Sequence, residues 1–255
     1  MKMRRITGIL AVAALMLPAL AFGDVATLSY DLDTFEEWNV SAASGGGTRA
    51  EPAWIYDNNN SCGSSGSWMG TIASYDVKSL WGDEVWTEGT GVLRSFSFHI
   101  GNPSPQLNQV IANPTFEINF YDYDSRDYIG GFSQETGWAI LGGQAGRATI
   151  SDIDQTFTVD LTSHDHLFVT WQITSYEGNN PAGVAALTFY PPNIGSSDRD
   201  EWYWSGTDST VFPDGPGWYS FSTATYNMLG FAIGVTPEPG SLLLLGMAGL
   251  LIRRR

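Results

Sequence analysis

The sequence predicts an all-β protein built as a single β-sandwich, jelly-roll-like in its winding. Three observations carry that expectation. Apolar residues recur at every second position in several stretches, which gives a strand one face to bury. Gly, Asn, Asp, Ser and Pro cluster between those stretches, as turns require. Between the two ends of the chain no stretch carries a long helical apolar period, and no internal repeat points to a propeller.

In chain order, residues 26–30, 54–56 and 67–73 are short candidate strands. In residues 92–100, Val92, Phe96, Phe98 and Ile100 share one face and Ser95, Ser97 and His99 the other; His99 reads as a surface residue. Phe116, Ile118 and Phe120 alternate with Glu117, Asn119 and Tyr121, and residues 128–132 follow as a short strand. Phe157, Val159 and Leu161 alternate with Thr156, Thr158 and Asp160. Leu167, Val169, Trp171 and Ile173 alternate with Phe168, Thr170, Gln172 and Thr174. Residues 185–190 and 218–221 are further short candidates, and Leu229, Phe231, Ile233 and Val235 close the series. Residues 139–154 fit neither a clear strand nor a turn. The clearest breaks are at residues 102–105, 178–181 and 213–217, so around ten to fourteen strands are expected.

Charge narrows the partners. The chain has 12 basic and 27 acidic residues; three basic ones lie in residues 1–23, and three more with Glu238 lie in residues 238–255. The stretch between therefore holds six basic against 26 acidic residues, a formal charge of −20. Nucleic acid and anionic membrane surfaces are repelled by such a domain. A hydrophobic fraction of 43% and ten Trp residues exclude a disordered stalk. Cys62 is the sole cysteine, so no internal disulfide forms; in its polar Gly/Ser/Asn loop it reads as an incidental thiol rather than a nucleophile.

The two ends describe an itinerary. Lys2, Arg4 and Arg5 precede an apolar run over residues 6–20, and Ala21-Phe22-Gly23 offers small residues where a signal peptidase reads. Residues 1–23 are thus expected to be a secretory signal peptide, cleaved between Gly23 and Asp24. At the other end, Pro237, Glu238 and Pro239 form a hinge whose prolines fix the chain and donate no amide proton. Residues 241–252 form an apolar run of twelve, about 18 Å as a helix and short of a hydrocarbon core of about 30 Å. Arg253, Arg254 and Arg255 follow and hold that end in the cytoplasm. Pro-Glu-Pro, a Leu/Gly-rich run and terminal arginines, in that order, resemble the PEP-CTERM sorting signal of Gram-negative bacteria. The resemblance implies that an exosortase, a membrane protease-transpeptidase, recognises and removes residues 235–255. It also implies a host that makes exopolysaccharide. The domain between, residues 24–234, is then exported, held briefly at the inner membrane, and passed to the cell surface or extracellular matrix.

Several constellations are candidates for chemistry. Asp122, Asp124 and Asp127 stand in a six-residue hairpin tip, where they are either oxygen ligands for Ca²⁺ or a solvated turn. His164 and His166 are two apart, a metal pair or part of a turn entering a strand. Asp198, Asp200, Glu201 and Asp208 make an acidic loop beside Trp202 and Trp204. Those two indoles share a strand face: outward they form a platform for a sugar ring, inward they are core. No nucleophile elbow, zinc-protease helix or phosphate loop occurs. The expectation is a non-enzymatic structural or adhesive protein of the exopolysaccharide layer, with signal peptidase and an exosortase-like protease as processing partners. The alternatives are a carbohydrate-binding module, with or without Ca²⁺, and a secreted polysaccharide hydrolase.

Overall fold

The computed structural model describes residues 36–42, 52–58, 70–74, 77–104, 106–153, 159–179, 183–189, 192–197, 202–206, 217–219 and 228–236. These fold into two packed sheets of strands, a β-sandwich. The first sheet has β1 (Glu36–Ser41), β2 (Ala53–Asp57), β3 (Gly70–Ser74), β5 (Val92–Gly101), β9 (Ala145–Ser151), β11 (Val184–Phe189), β14 (Met228–Leu229) and β15 (Phe231–Thr236). Its path runs β1-β9-β5-β11-β14, with β15 joining β5 to β2 and β3 lying on β11. The second sheet has β4 (Leu80–Trp86), β6 (Val110–Asp122), β7 (Tyr128–Glu135), β8 (Ala139–Leu141), β10 (His166–Gly178), β12 (Trp202–Ser205) and β13 (Gly217–Tyr219). Its order is β13-β12-β4-β10-β6-β7, with β8 on β6.

The chain crosses from the second sheet to the first between β4 and β5, returns between β5 and β6, crosses again between β8 and β9, and returns between β9 and β10. In each sheet the strands of the first and last crossings pair antiparallel, β4 with β10 and β5 with β9. The β6–β7 hairpin sits between the crossings in sequence and continues the second sheet.

Alternation sets which residues face the other sheet. On β10, Leu167, Val169, Trp171 and Ile173 are buried, as are Phe116, Ile118 and Phe120 on β6 and Phe96, Phe98 and Ile100 on β5. Rings interlock across the gap: Phe98 lies 5.2 Å from Trp171 and 4.8 Å from Phe116, and Phe96 meets Phe120 edge-on at 5.9 Å. Such edge-to-face pairs add about 0.5–1.5 kcal/mol each to the area they bury.

The unassigned residues 139–154 contain two strands, β8 and β9. β1 and β4 also escape the alternation reading, and β15 continues through Thr236, two residues past the expected end of the domain. Val159 and Leu161 are buried, and a bridge pairs Val92 with Asp160; Thr156, Phe157 and Thr158 of the expected strand lie outside the described residues. The candidate strand at residues 26–30, Cys62, the signal peptide with Gly23 and Asp24, and the tail with Pro237, Glu238, Pro239, Arg253, Arg254 and Arg255 lie outside the described residues.

His99 is not a surface residue. It is 3% exposed, and burial, with the Arg147 guanidinium beside it, holds its imidazole down to about 3. The unfolded chain takes a proton near 6.5 that the native imidazole refuses until about 3. The contribution is therefore complete above about pH 6.5 and declines as pH falls towards 3. Unfolding free energies from urea denaturation at pH 7, 5.5 and 4 are expected to fall by up to about 1.4 kcal/mol per pH unit from this group. His99→Gln is expected to lose that part of the slope; an unchanged slope contradicts it.

Candidate ligand-binding site

The outward face of the seven-stranded sheet is aromatic where a solvated face is normally polar. Trp218 on β13 stands opposite Tyr203 on β12, and Tyr203 opposite Gly82 on β4. On the next strands Phe168 pairs with Tyr121, and Tyr121 with Tyr128. The rings touch in series: Trp218–Tyr203 at 5.8 Å, Tyr203–Phe168 at 5.4 Å, Phe168–Tyr121 at 6.1 Å and Tyr121–Tyr128 at 5.4 Å. Tyr128 is exposed and the other four are half-buried. Gly82 makes the series continuous across β4. A Cβ at that position would lie 2.9 Å from Phe168 Cζ, so any side chain there displaces the ring.

Between the rings lies an open groove of about 400 Å³. Tyr121, Phe168, Tyr203 and Trp218 give it apolar walls; Asp122, Arg126, Thr170 and Ser205 add polar groups. The volume is that of a small-ligand site, and the mixture of rings and a few polar groups is typical of one. The Thr170 hydroxyl, in a residue 2% exposed, has no hydrogen-bond partner among the described residues.

The β6–β7 hairpin tip forms one end of the groove. Asp122 Oδ1 accepts the Ser125 N–H at 2.8 Å, and its Oδ2 meets His164 Nδ1 at 2.9 Å. The Ser125 N–H first, then His164, hold the carboxyl down to about 2. Arg126 follows with φ of 68°, a left-handed conformation uncommon outside glycine. Its N–H returns to the Asp122 carbonyl at 3.0 Å, and its guanidinium lies 4.2 Å above the Tyr123 ring. Below the tip, His166 is stacked on Trp86 at 3.7 Å; its Nε2 meets Glu84 Oε1 at 2.5 Å and its Nδ1 meets Asp124 Oδ1 at 3.2 Å.

These contacts bear on two of the candidate constellations, each of which the sequence left open between a metal site and a turn. His164 and His166 turn to different carboxylates and do not converge as a metal pair. Asp122 and Asp124 are engaged with those histidines, and the Asp127 backbone closes the turn on Asp122 and Ser125, so the three aspartates do not surround a common point. Among the described residues no group of three or more His, Cys, Asp or Glu is placed to hold a metal ion.

Trp202 and Trp204 do share a strand face, but it is the inward one: they are 1% and 0% exposed and belong to the core. Neither lines the groove; Tyr203 between them does. Asp198, Asp200, Glu201 and Asp208 lie outside the described residues. The residues that sequence reasoning missed were marked by a weak signal. Tyr121 and Phe168 occupy the otherwise polar phase of their strands. What gathers them with Trp218 is strand order, which no local pattern reveals.

Comparison of the chain with protein-family models, with curated proteins and with solved structures finds no match in any of the three.

Proposed function

We propose that this chain is an exported, non-enzymatic surface protein whose jelly-roll-like sandwich holds polysaccharide of the extracellular layer in its aromatic groove. The observation that carries the reading is the series of five touching rings on an outward sheet face. A sugar ring has an apolar C–H side and a rim of hydroxyls. It stacks on an aromatic face and hydrogen-bonds at its edge, so it suits a groove with aromatic walls and a few polar groups. The nesting of β4·β10 and β5·β9 around the β6–β7 hairpin supports the jelly-roll winding. Export and release rest on the two ends: a signal peptide at residues 1–23, and a tail at 235–255 that resembles a substrate of an exosortase-like protease. Against hydrolysis stands the state of two described carboxylates, one lining the groove and one beneath the hairpin tip. Glycosidases place two carboxyls across the scissile bond. Here Asp122 is bonded on both oxygens, and Glu84, 1% exposed, is committed to His166 and Ser197.

Affinity electrophoresis of the full-length chain through gels containing bacterial and plant polysaccharides tests this. Retardation by at least one polysaccharide, unchanged by a chelator, is expected. Unaltered mobility in every gel defeats the proposal.

A further inference from the structure

We infer that the groove takes a linear acidic polysaccharide, one whose sugar units carry carboxylates, and that Arg126 is the residue that reads the charge. The inference rests on the polysaccharide reading above and specifies its ligand. Three observations carry it.

The first is charge. In a chain of net charge −15, Arg126 is, among the described residues, the cation lining the groove. Arg147 is tied to Glu37 at 2.7 Å and Arg94 to Thr236 and the Ile153 carbonyl. Arg126 shares its hairpin with Asp122, Asp124 and Asp127, yet among the described residues no carboxylate forms an ion pair with it. Asp122 and Asp124 face the histidines instead. The guanidinium is steered over the Tyr123 ring and left with its planar fork of donors available to a ligand carboxylate.

The second is backbone strain. Arg126 occupies a left-handed conformation at an exposed hairpin position where glycine is the unstrained choice. Strain of this kind clusters at ligand clamps and other functional sites, which motivates a role for this side chain.

The third is extent. The ring series runs from β13 to β7, across six adjacent strands. At about 4.8 Å per strand step this is about 24 Å, a track for a polymer rather than a single sugar. The overall negative charge repels a polyanion at long range, but at physiological salt charges are screened beyond about 8 Å, so the balance at the groove is set by the charges of the hairpin itself. Asp122, at the same end of the groove, adds like-charge repulsion that sets where along the track a carboxylate settles.

The test compares the full-length chain on polygalacturonate and on its methyl ester, which share a backbone and differ in charge. Neutral cello-oligosaccharide serves as a third probe. Wild type is expected to bind the acid form about tenfold more tightly than the ester. Arg126→Gln is expected to bring the two together, and Arg126→Lys to restore part of the preference. Arg126 is exposed, so these variants keep the fold. Equal affinity for acid and ester, preference for the neutral probes, or a preference that survives Arg126→Gln overturns the inference while leaving polysaccharide binding intact. Binding to none of these or other glycans overturns both.

Discussion

Trp218→Ala is expected to weaken polysaccharide binding by about 30-fold or more, and Tyr203→Ala to do nearly as much. Buried or half-buried aromatic anchors dominate binding sites, each removal costing about 2 kcal/mol or more. Both residues contact Phe168, at 5.6 and 5.4 Å, so either deletion also loosens the next ring in the series. Trp218→Phe keeps an aromatic face and is expected to retain most of the affinity. The same deletion one residue from Tyr203 acts differently. Trp204 is fully buried, and Trp204→Ala is expected to cost about 3–5 kcal/mol of stability through the cavity it leaves. Thermal melts read beside affinity separate the two classes. Loss of stability without loss of affinity at Trp218 would place the ligand elsewhere.

Asp83→Ala is expected to destabilise the fold by about 3 kcal/mol. Asp83 is fully buried on β4; its Oδ2 accepts the Leu229 N–H of β14 at 2.7 Å and its Oδ1 the Glu84 N–H at 2.8 Å. It therefore ties one sheet to the other through the core. Removing it leaves two buried N–H donors without an acceptor, at about 1–3 kcal/mol each. Burial pushes the carboxyl well above its usual range, the two N–H bonds pulling back only in part. For an acid raised in this way the native state holds its proton more tightly than the unfolded chain. Its contribution is then largest below about pH 4 and shrinks as pH rises through the raised value, opposite in sign to His99. Urea denaturation of Asp83→Ala and Asp83→Asn across pH checks both points. Asn keeps one acceptor and is expected to cost less than Ala and to lose the pH dependence. A stability of Asp83→Ala within about 0.5 kcal/mol of wild type contradicts the role of the strut.

Where alternation was clean, the sequence was a good guide to the fold. Residues 116–120 and 167–173 face as their pattern says, because each has one side against the opposite sheet. β4 was hidden because Leu-Trp-Gly-Asp-Glu-Val-Trp is buried almost throughout: Asp83 points into the core, and Glu84 is covered beside His166. β9, Ala-Gly-Arg-Ala-Thr-Ile-Ser, has small residues where a pattern needs large ones, and its parallel partner β1 is far away in sequence. At the site, period two established that Trp202 and Trp204 share a face but not which face, since the direction depends on the neighbouring sheet. The Asp-rich turn was legible as a turn. Its histidine partners, His164 and His166, come from the start of β10 and the turn before it, some forty residues later, and only pairing of β10 with β6 brings them beneath it.

Oxidative footprinting of the full-length chain, alone and saturated with a retained polysaccharide, locates the ligand on the surface. The outward rings Trp218, Tyr203 and Tyr128 are expected to be protected on binding. Trp54, 37% exposed on β2 of the other sheet, is expected to react at the same rate with and without ligand. Protection of Trp54 with no change at Trp218 and Tyr203 would contradict the groove as the binding site.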